Sequence, residues 1–289
     1  MIQKLTTEFI PFAGDTHELQ NGRSAARNWF VAMARTVNPR ISDGQTAQGF
    51  YTASPDGKGL GFNNNRSVER VLGLLDLGLA KSSPASGPIE PAPGDRGGAR
   101  EDVFVARTFT RIRPLPPGSA ESNKNVARDH LWIYPADVEA ILAGKGDRFP
   151  APAAFARRLA RFHLVDNVRG EPDMWSASEV RKAELFVVRD PRGFKLEGDF
   201  EMETANGSRG LDASFEGWIE LDGGTIKRFL GLAKGKAWGA GRYTPNPPEG
   251  VFPIVVAMVE ANDAASRRVP PQGLLWGPEY RGSGAFAGR

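Results

Sequence analysis

The densest collection of groups able to bind, orient or transfer protons in this chain follows His163, where Val165-Asp166-Asn167-Val168-Arg169-Gly170-Glu171-Pro172-Asp173-Met174-Trp175 packs four carboxylates and amides around one arginine. An imidazole beside Asp166 or Glu171 has the composition of a general acid–base pair, the kind a hydrolase or lyase uses on a small polar substrate. His130 follows Arg128-Asp129 and opens a strand beside Trp132 and Tyr134. If that strand meets the loop, His130, His163, Asp166 and Glu171 could also hold a divalent metal. The chain has three histidines, so any metal site draws on few imidazoles; His17, between Asp15 and Glu18, reads as an exposed loop residue. The same residues have ordinary roles. A histidine in the last turn of a helix favours its dipole, Asp and Asn organise the turn after it, and Arg169 with Glu171 or Asp173 can pin a loop.

A second set of carboxylates comes from strand alternation. Asn206-Gly207 is a strong two-residue hairpin signal. In that register Met202 faces Leu211, and Phe194, Leu196, Phe200 and Met202 share a face with Leu211, Ala213 and Phe215. The opposite face then sets Glu201 against Asp212 and Glu197 against Glu216. Continued through Asp222-Gly223-Gly224, the register lays Gly231, Ala233 and Gly235 beside those acids as the floor of a shallow groove. Facing carboxylates could bind a cation or a basic partner, or they are the solvated side of a half-buried sheet balanced by Lys195, Arg209, Lys227, Lys234 and Lys236. Trp175, Trp218 and Trp238 would rim the mouth of such a sheet, and with His130, Trp132 and Arg169 they form the candidate ligand-binding set.

The elements that must position these groups are legible in part. Ser24 to Thr36 reads as a helix with Trp29, Phe30 and Met33 inward, Gly49 to Phe62 as a hairpin about Asp56-Gly57, and Arg66 to Lys81 as an amphipathic helix with Val68, Val71, Leu72, Leu75 and Leu79 on one side. This order of helix, hairpin and helix resembles the second half of a thioredoxin-like fold in topology. Without any Cys-x-x-Cys the resemblance carries no dithiol chemistry. Lys81 to Arg100, KSSPASGPIEPAPGDRGGAR, is rich in Pro, Gly and Ser and reads as a linker. The division is therefore a small αβ module over 1–80, a linker over 81–100, and a β-rich domain over 101–289.

That domain reads as a strand over Glu101 to Arg113, another at His130 to Tyr134, helices near 135–144 and 152–164, and five strands from Val180 to Val259 joined by short turns. Arg157, Arg158 and Arg161, among alanines, read as a solvated helix face. The fold class is α+β, with an antiparallel meander that curls, closes into a barrel or closes on the preceding helices.

Composition removes several functions. The 289 residues are 40% apolar and 25% charged with no cysteine, and mean hydropathy is −0.37; this describes a soluble globular chain without disulfides, thiolate metal sites or thiol catalysis. Net charge is +3, with signs interleaved rather than gathered into a stripe, which argues against nucleic-acid binding. No apolar run is long enough to cross a bilayer and the start has no signal-peptide profile, so the chain as given reads as cytoplasmic, or as exported if a leader has been removed. Heavy use of Ala, Gly, Arg and Pro fits a GC-rich bacterial gene. Phosphate-loop, dinucleotide, nucleophile-elbow, zincin and calcium-loop motifs are missing, and no motif names a cofactor. The expectation is a non-catalytic protein that binds a small molecule or a protein partner. Its alternative is a hydrolase or lyase, with or without a metal, built on His163, Asp166 and Glu171. A third reading is a scaffold that docks through Val269-Pro270-Pro271.

Overall fold

The computed structural model describes residues 1–12, 19, 25–41, 48–83, 102–114, 125–261, 263–276 and 279–280. His17 and residues 84–100 of the expected linker lie outside the described residues. The chain forms two compact units, Met1–Gly94 and Asp95–Arg289.

The first unit contains α1 (Ile2–Glu8), α2 (Ala25–Val37), a hairpin of β1 (Phe50–Ala53) and β2 (Gly59–Asn63), and α3 (Val68–Lys81). Gly57 takes positive φ in the hairpin turn, as the Asp56-Gly57 signal requires. Ser67 caps α3 by accepting a hydrogen bond from the Arg70 N–H at 3.3 Å, and α3 buries Val71, Leu74 and Leu75. Phe30, Val31, Met33 and Ala34 of α2 form the core with Tyr51 packed against them. Two residues expected inward face out: Trp29 and Val68 are exposed. Trp29 lies over the hairpin turn, where a side chain at Gly57 would strike its indole nitrogen. Among the described residues the sheet of this unit has two strands.

The second unit is one antiparallel sheet of eight strands in the order β4-β3-β10-β9-β8-β7-β6-β5, over a layer of helices. In chain order the strands are β3 (Phe104–Ile112), β4 (Ala127–Ile133), β5 (Arg148–Pro150), β6 (Val180–Asp190), β7 (Gly193–Glu203), β8 (Gly210–Asp222), β9 (Thr225–Trp238) and β10 (Val251–Glu260). The α+β class is as expected, but the sheet is open rather than closed into a barrel. Each edge is satisfied in another way. β5 is three residues long and ends in a proline, which has no N–H to offer a further strand. At the other edge, the Trp132 N–H of β4 donates to the Tyr280 hydroxyl at 3.2 Å. Helices α4 (Pro135–Leu142) and α5 (Ala153–Arg158), the latter continued by a wide π turn over Leu159–His163, cover the inner face. Their Ile141, Phe155, Leu159 and Ala160 meet Phe194, Leu196, Phe200, Met202, Phe215 and Phe229 in one core.

The β7–β8 register is the expected one: Met202 pairs Leu211, Glu201 pairs Asp212 and Glu197 pairs Glu216. The β8–β9 register is not. Leu221 pairs Ile226, but Glu220 pairs Arg228, so Lys227 is an extra residue in a bulge. Because strand side chains alternate with period two, one added residue exchanges the faces of everything beyond it. Gly231, Ala233 and Gly235 therefore point into the core, opposite Gly217, Phe215 and Ala213, and floor no groove beside the acids. Gly217 and Gly231 instead make a slot for the Phe215 ring, which a Cβ on Gly231 would approach to 2.9 Å. The residues the bulge turns outward are Leu230, Leu232, Lys234 and Lys236.

Candidate functional site

The structure separates the expected catalytic set. His163 is 2% exposed and its Nε2 lies 2.9 Å from the Tyr280 hydroxyl. That hydroxyl also accepts the Trp132 N–H, and His163 Nδ1 lies 3.6 Å from Asp129 Oδ2, beyond hydrogen-bond reach. Asp129 in turn accepts the Gln272 N–H at 2.8 Å. Arg158 lies in the same buried cluster: its Nη1 is 2.7 Å from Asp137 Oδ2 and its Nε donates to the Tyr280 carbonyl at 2.8 Å. The expected solvated face at Arg158 is thus overturned. Arg158 stands three residues after Phe155 and four before Phe162, on the helix side that turns to the core, and Asp137 is there to compensate its charge. Arg157 is exposed.

Burial dominates the ionisation of this cluster. It pushes the His163 pKa down to about 3, with repulsion from Arg158 adding to it. Burial also pushes Asp129 up to about 6, against the backbone N–H groups of Gln272 and His130. At neutral pH the 3.6 Å contact therefore joins a carboxylate to a neutral imidazole and is no ion pair. The two groups bias stability in opposite senses. As pH falls below about 6.5 the unfolded chain protonates a histidine that the folded one keeps neutral, and stability drops. As pH falls through about 6 the folded chain protonates Asp129 before the unfolded one does, near 3.9, and stability rises. Between roughly pH 6 and 4 the slopes offset each other. In Asp129→Asn the compensation is gone. Its thermal midpoint, followed by circular dichroism, is expected to fall more steeply than that of the unaltered chain across that window; parallel curves would contradict the assignment.

Asp166 and Glu171 do not join His163. Asp166 Oδ2 accepts Arg169 Nε at 2.6 Å and its Oδ1 accepts the Val168 N–H at 3.0 Å. Arg169 also donates to the carbonyls of Thr244, Pro245 and Gly239, so its carboxylate partner is Asp166 rather than Glu171 or Asp173. Asp173 faces Arg209, whose guanidinium lies 3.8 Å over the Trp175 ring. A Cβ on Gly170 would meet the Tyr243 carbonyl at 2.1 Å, which fixes glycine at this close approach. The loop is thereby clamped to the β9–β10 connection. The space left between Arg169, Arg209 and Trp175 is about 20 Å³, room for about one water. Glu171 is exposed, and among the described residues no three His, Asp or Glu side chains converge as a metal would require.

The tryptophans do not share a mouth. Trp175 is 2% exposed and donates its indole N–H to the Leu164 carbonyl at 2.9 Å. Trp132 is also buried. Trp218 and Trp238 both stand on the outer face, but Trp218 pairs Leu230, eight residues and about 27 Å from Trp238 along β9. Trp238 lines an open groove of about 570 Å³ with Pro247, Pro248 and Val251. His130 faces outward too, opposite Arg107, with its pKa lowered by burial and by Arg107.

The outer face of the eight-stranded sheet is itself ordered. Its β7 and β8 positions carry Glu197, Asp199, Glu201, Asp212 and Glu216. Its β9 positions carry Arg228, Leu230, Leu232, Lys234 and Lys236 and its β10 positions Pro253, Val255, Ala257 and Val259, with Trp218 and Phe109 on the strands to either side. Its β3 and β4 positions carry Arg107, Arg111 and Arg128, and Arg113 follows β3 against Pro253. At the levels of Leu230 and Leu232 the face runs through an apolar centre from the acids of β7 and β8 to the arginines of β3 and β4, and further along β9 Lys234 and Lys236 stand beside Ser214 and Asp212. Trp218, Leu230 and Val255 are 38%, 47% and 38% exposed. Lys195 and Arg148 hold Glu197, at 3.3 and 3.2 Å, and keep its pKa below the usual range, chiefly through the Arg148 hydrogen bond. The sequence carried the signal for this band in the alternation of β9, but the bulge hid which half of the alternation faces out.

No family model, curated protein or solved structure matches the chain. Among the described residues no helix is long and apolar enough to cross a membrane.

Proposed function

We propose that this chain is a non-catalytic binding protein that engages a protein partner through the outer face of its large sheet. The observation that supports the reading is the run of Trp218, Leu230 and Val255, exposed in mid-face and bordered by carboxylates on one side, arginines on the other, and Lys234 and Lys236 at one end. Antiparallel sheets solvated on one side normally carry polar residues there. A contiguous apolar band with a charged rim has the composition of a docking surface, whose centre is depleted of charge and rich in aromatic and aliphatic groups. Hydrolase or lyase chemistry at His163 has less support, because the ring is enclosed and its Nε2 is held by the buried Tyr280 hydroxyl.

Oxidative footprinting of tryptophan tests this reading. In the dilute chain Trp218 is expected to oxidise readily, and the buried Trp132 and Trp175 slowly. In an extract of the producing cells, or as the chain is concentrated, Trp218 is expected to be protected. Equal labelling of Trp218 under all three conditions would overturn the proposal.

A further inference from the structure

We infer that Asn206 is a site of spontaneous deamidation, held inert by the closed β7–β8 turn and released when that turn opens. Asn206-Gly207 is one of two Asn-Gly dipeptides in the chain; the other, Asn21-Gly22, lies outside the described residues. The chemistry is intramolecular. The Gly207 backbone nitrogen attacks the Asn206 side-chain carbonyl carbon, forming a C–N bond and giving up its proton to solvent base. The bond from that carbon to Nδ2 breaks, and the amide nitrogen takes a proton from solvent and leaves as ammonia. Water then opens the resulting cyclic imide at either carbonyl, giving aspartate or its β-linked isomer. Glycine favours the first step, because no side chain shields its nitrogen and its backbone reaches the geometry of attack freely. Asn206, Gly207 and Ser208 are all exposed, so water and hydroxide reach them.

The closed turn withholds both reactants. The Gly207 N–H donates to the Thr204 carbonyl at 2.9 Å, so the nitrogen cannot lose its proton without losing the bond that closes the turn. Asn206 Oδ1 accepts the Ser208 N–H at 3.1 Å and the Ser208 hydroxyl at 2.7 Å, with the Thr204 hydroxyl 2.9 Å away. These bonds hold the amide in one orientation. They also polarise its carbonyl, which favours attack, but the tied N–H decides, since polarisation has no effect until a free nitrogen is present. Attack therefore waits on opening, and its rate follows the open fraction of the turn. The consequence reaches the neighbouring groove. The Gly207 carbonyl accepts the Trp238 indole N–H at 3.1 Å, and a Cβ on Gly210 would collide with the same ring. In the β-linked isomer the chain runs through the side-chain carbon, which adds a backbone atom before Gly207. That atom displaces Gly207 from Thr204 and from Trp238, and the indole loses its anchor.

Peptide mapping of the full chain by mass spectrometry tests the proposal, after incubation in mildly alkaline buffer with and without concentrated guanidinium chloride. Conversion at Asn206 is expected in both, at least about tenfold faster in the denaturant, where no turn is closed. The folded Ser208→Ala chain lacks one donor to the amide and should convert roughly threefold faster than the unaltered folded chain, or more. The fraction carrying the β-linked isomer, separated by chromatography, should show Trp238 oxidised faster in footprinting than the unconverted chain. No conversion at Asn206 in denaturant overturns the site. Equal rates with and without denaturant, or a slower Ser208→Ala chain, overturn the gate, because the donors would then be promoting attack. Unchanged labelling of Trp238 overturns the link to the groove.

Discussion

Replacing Arg158 with alanine is expected to lower the stability of the second unit by about 3–5 kcal/mol, because one partner of a buried ion pair is removed and the other left behind. The Arg158 and Asp137 side chains are 1% and 4% exposed and 2.7 Å apart. Asp137 also accepts the Tyr134 N–H at 2.9 Å at the start of α4, and Arg158 lies 4.6 Å over the Tyr134 ring. Without the guanidinium the carboxylate keeps a backbone donor but loses its counter-charge, and the Tyr280 carbonyl loses the Arg158 N–H. The urea midpoint should fall by roughly 1–2 M. The double replacement Arg158→Met with Asp137→Asn removes both charges at nearly constant volume and should recover most of the loss. A double variant as unstable as Arg158→Ala would mean that packing, rather than uncompensated charge, sets the cost.

The same residue marks what the sequence disclosed. Phe155, Leu159 and Phe162 announced the buried side of the helix, and Arg158 falls on that side by spacing. Its charge suggested solvent because the compensating Asp137 is distant in the chain, and sequence spacing cannot show such a meeting. The β-meander was legible through its turns. Asn206-Gly207 marked the centre of the β7–β8 register, and the expected pairing holds although the loop is longer than two residues, its turn closing from the Gly207 N–H to the Thr204 carbonyl. Gly223-Gly224 did the same for Leu221 and Ile226, and then the bulge at Lys227 cancelled the extrapolation. Nothing in the type of Lys227 distinguishes a bulged lysine from a paired one.

The polar loop after His163 was recognised as unusual for a sound reason, a high density of ionisable groups. Its role could not be read, because catalytic and clamping loops share that composition. Partners from outside the loop decide between them: the Thr244, Pro245 and Gly239 carbonyls that fill Arg169, and Arg209 on Trp175. Likewise, the cluster around His163 needed Tyr280, whose place at the β4 edge no local pattern signals. The open sheet follows from the three-residue β5, which was not anticipated, and from that covered edge.

The second large effect is expected on the outer face. Leu230 and Leu232 stand at the centre of the apolar band, and Leu230 is 47% exposed, so lysines there cost the isolated fold little. Docking would force two ammonium groups out of water against apolar side chains, at a penalty of several kcal/mol for each unpaired charge that stays buried. Since about 1.4 kcal/mol is tenfold in affinity, the pair should weaken partner binding by at least about a hundredfold. The decisive measurement immobilises the full chain and its Leu230→Lys, Leu232→Lys variant, and quantifies what each retains, the untagged chain included, with identification by mass. A stoichiometric partner held by the first and lost by the second, at unchanged thermal midpoint, is the predicted result. Identical retention by both, or no partner for either, would contradict the assignment of this face.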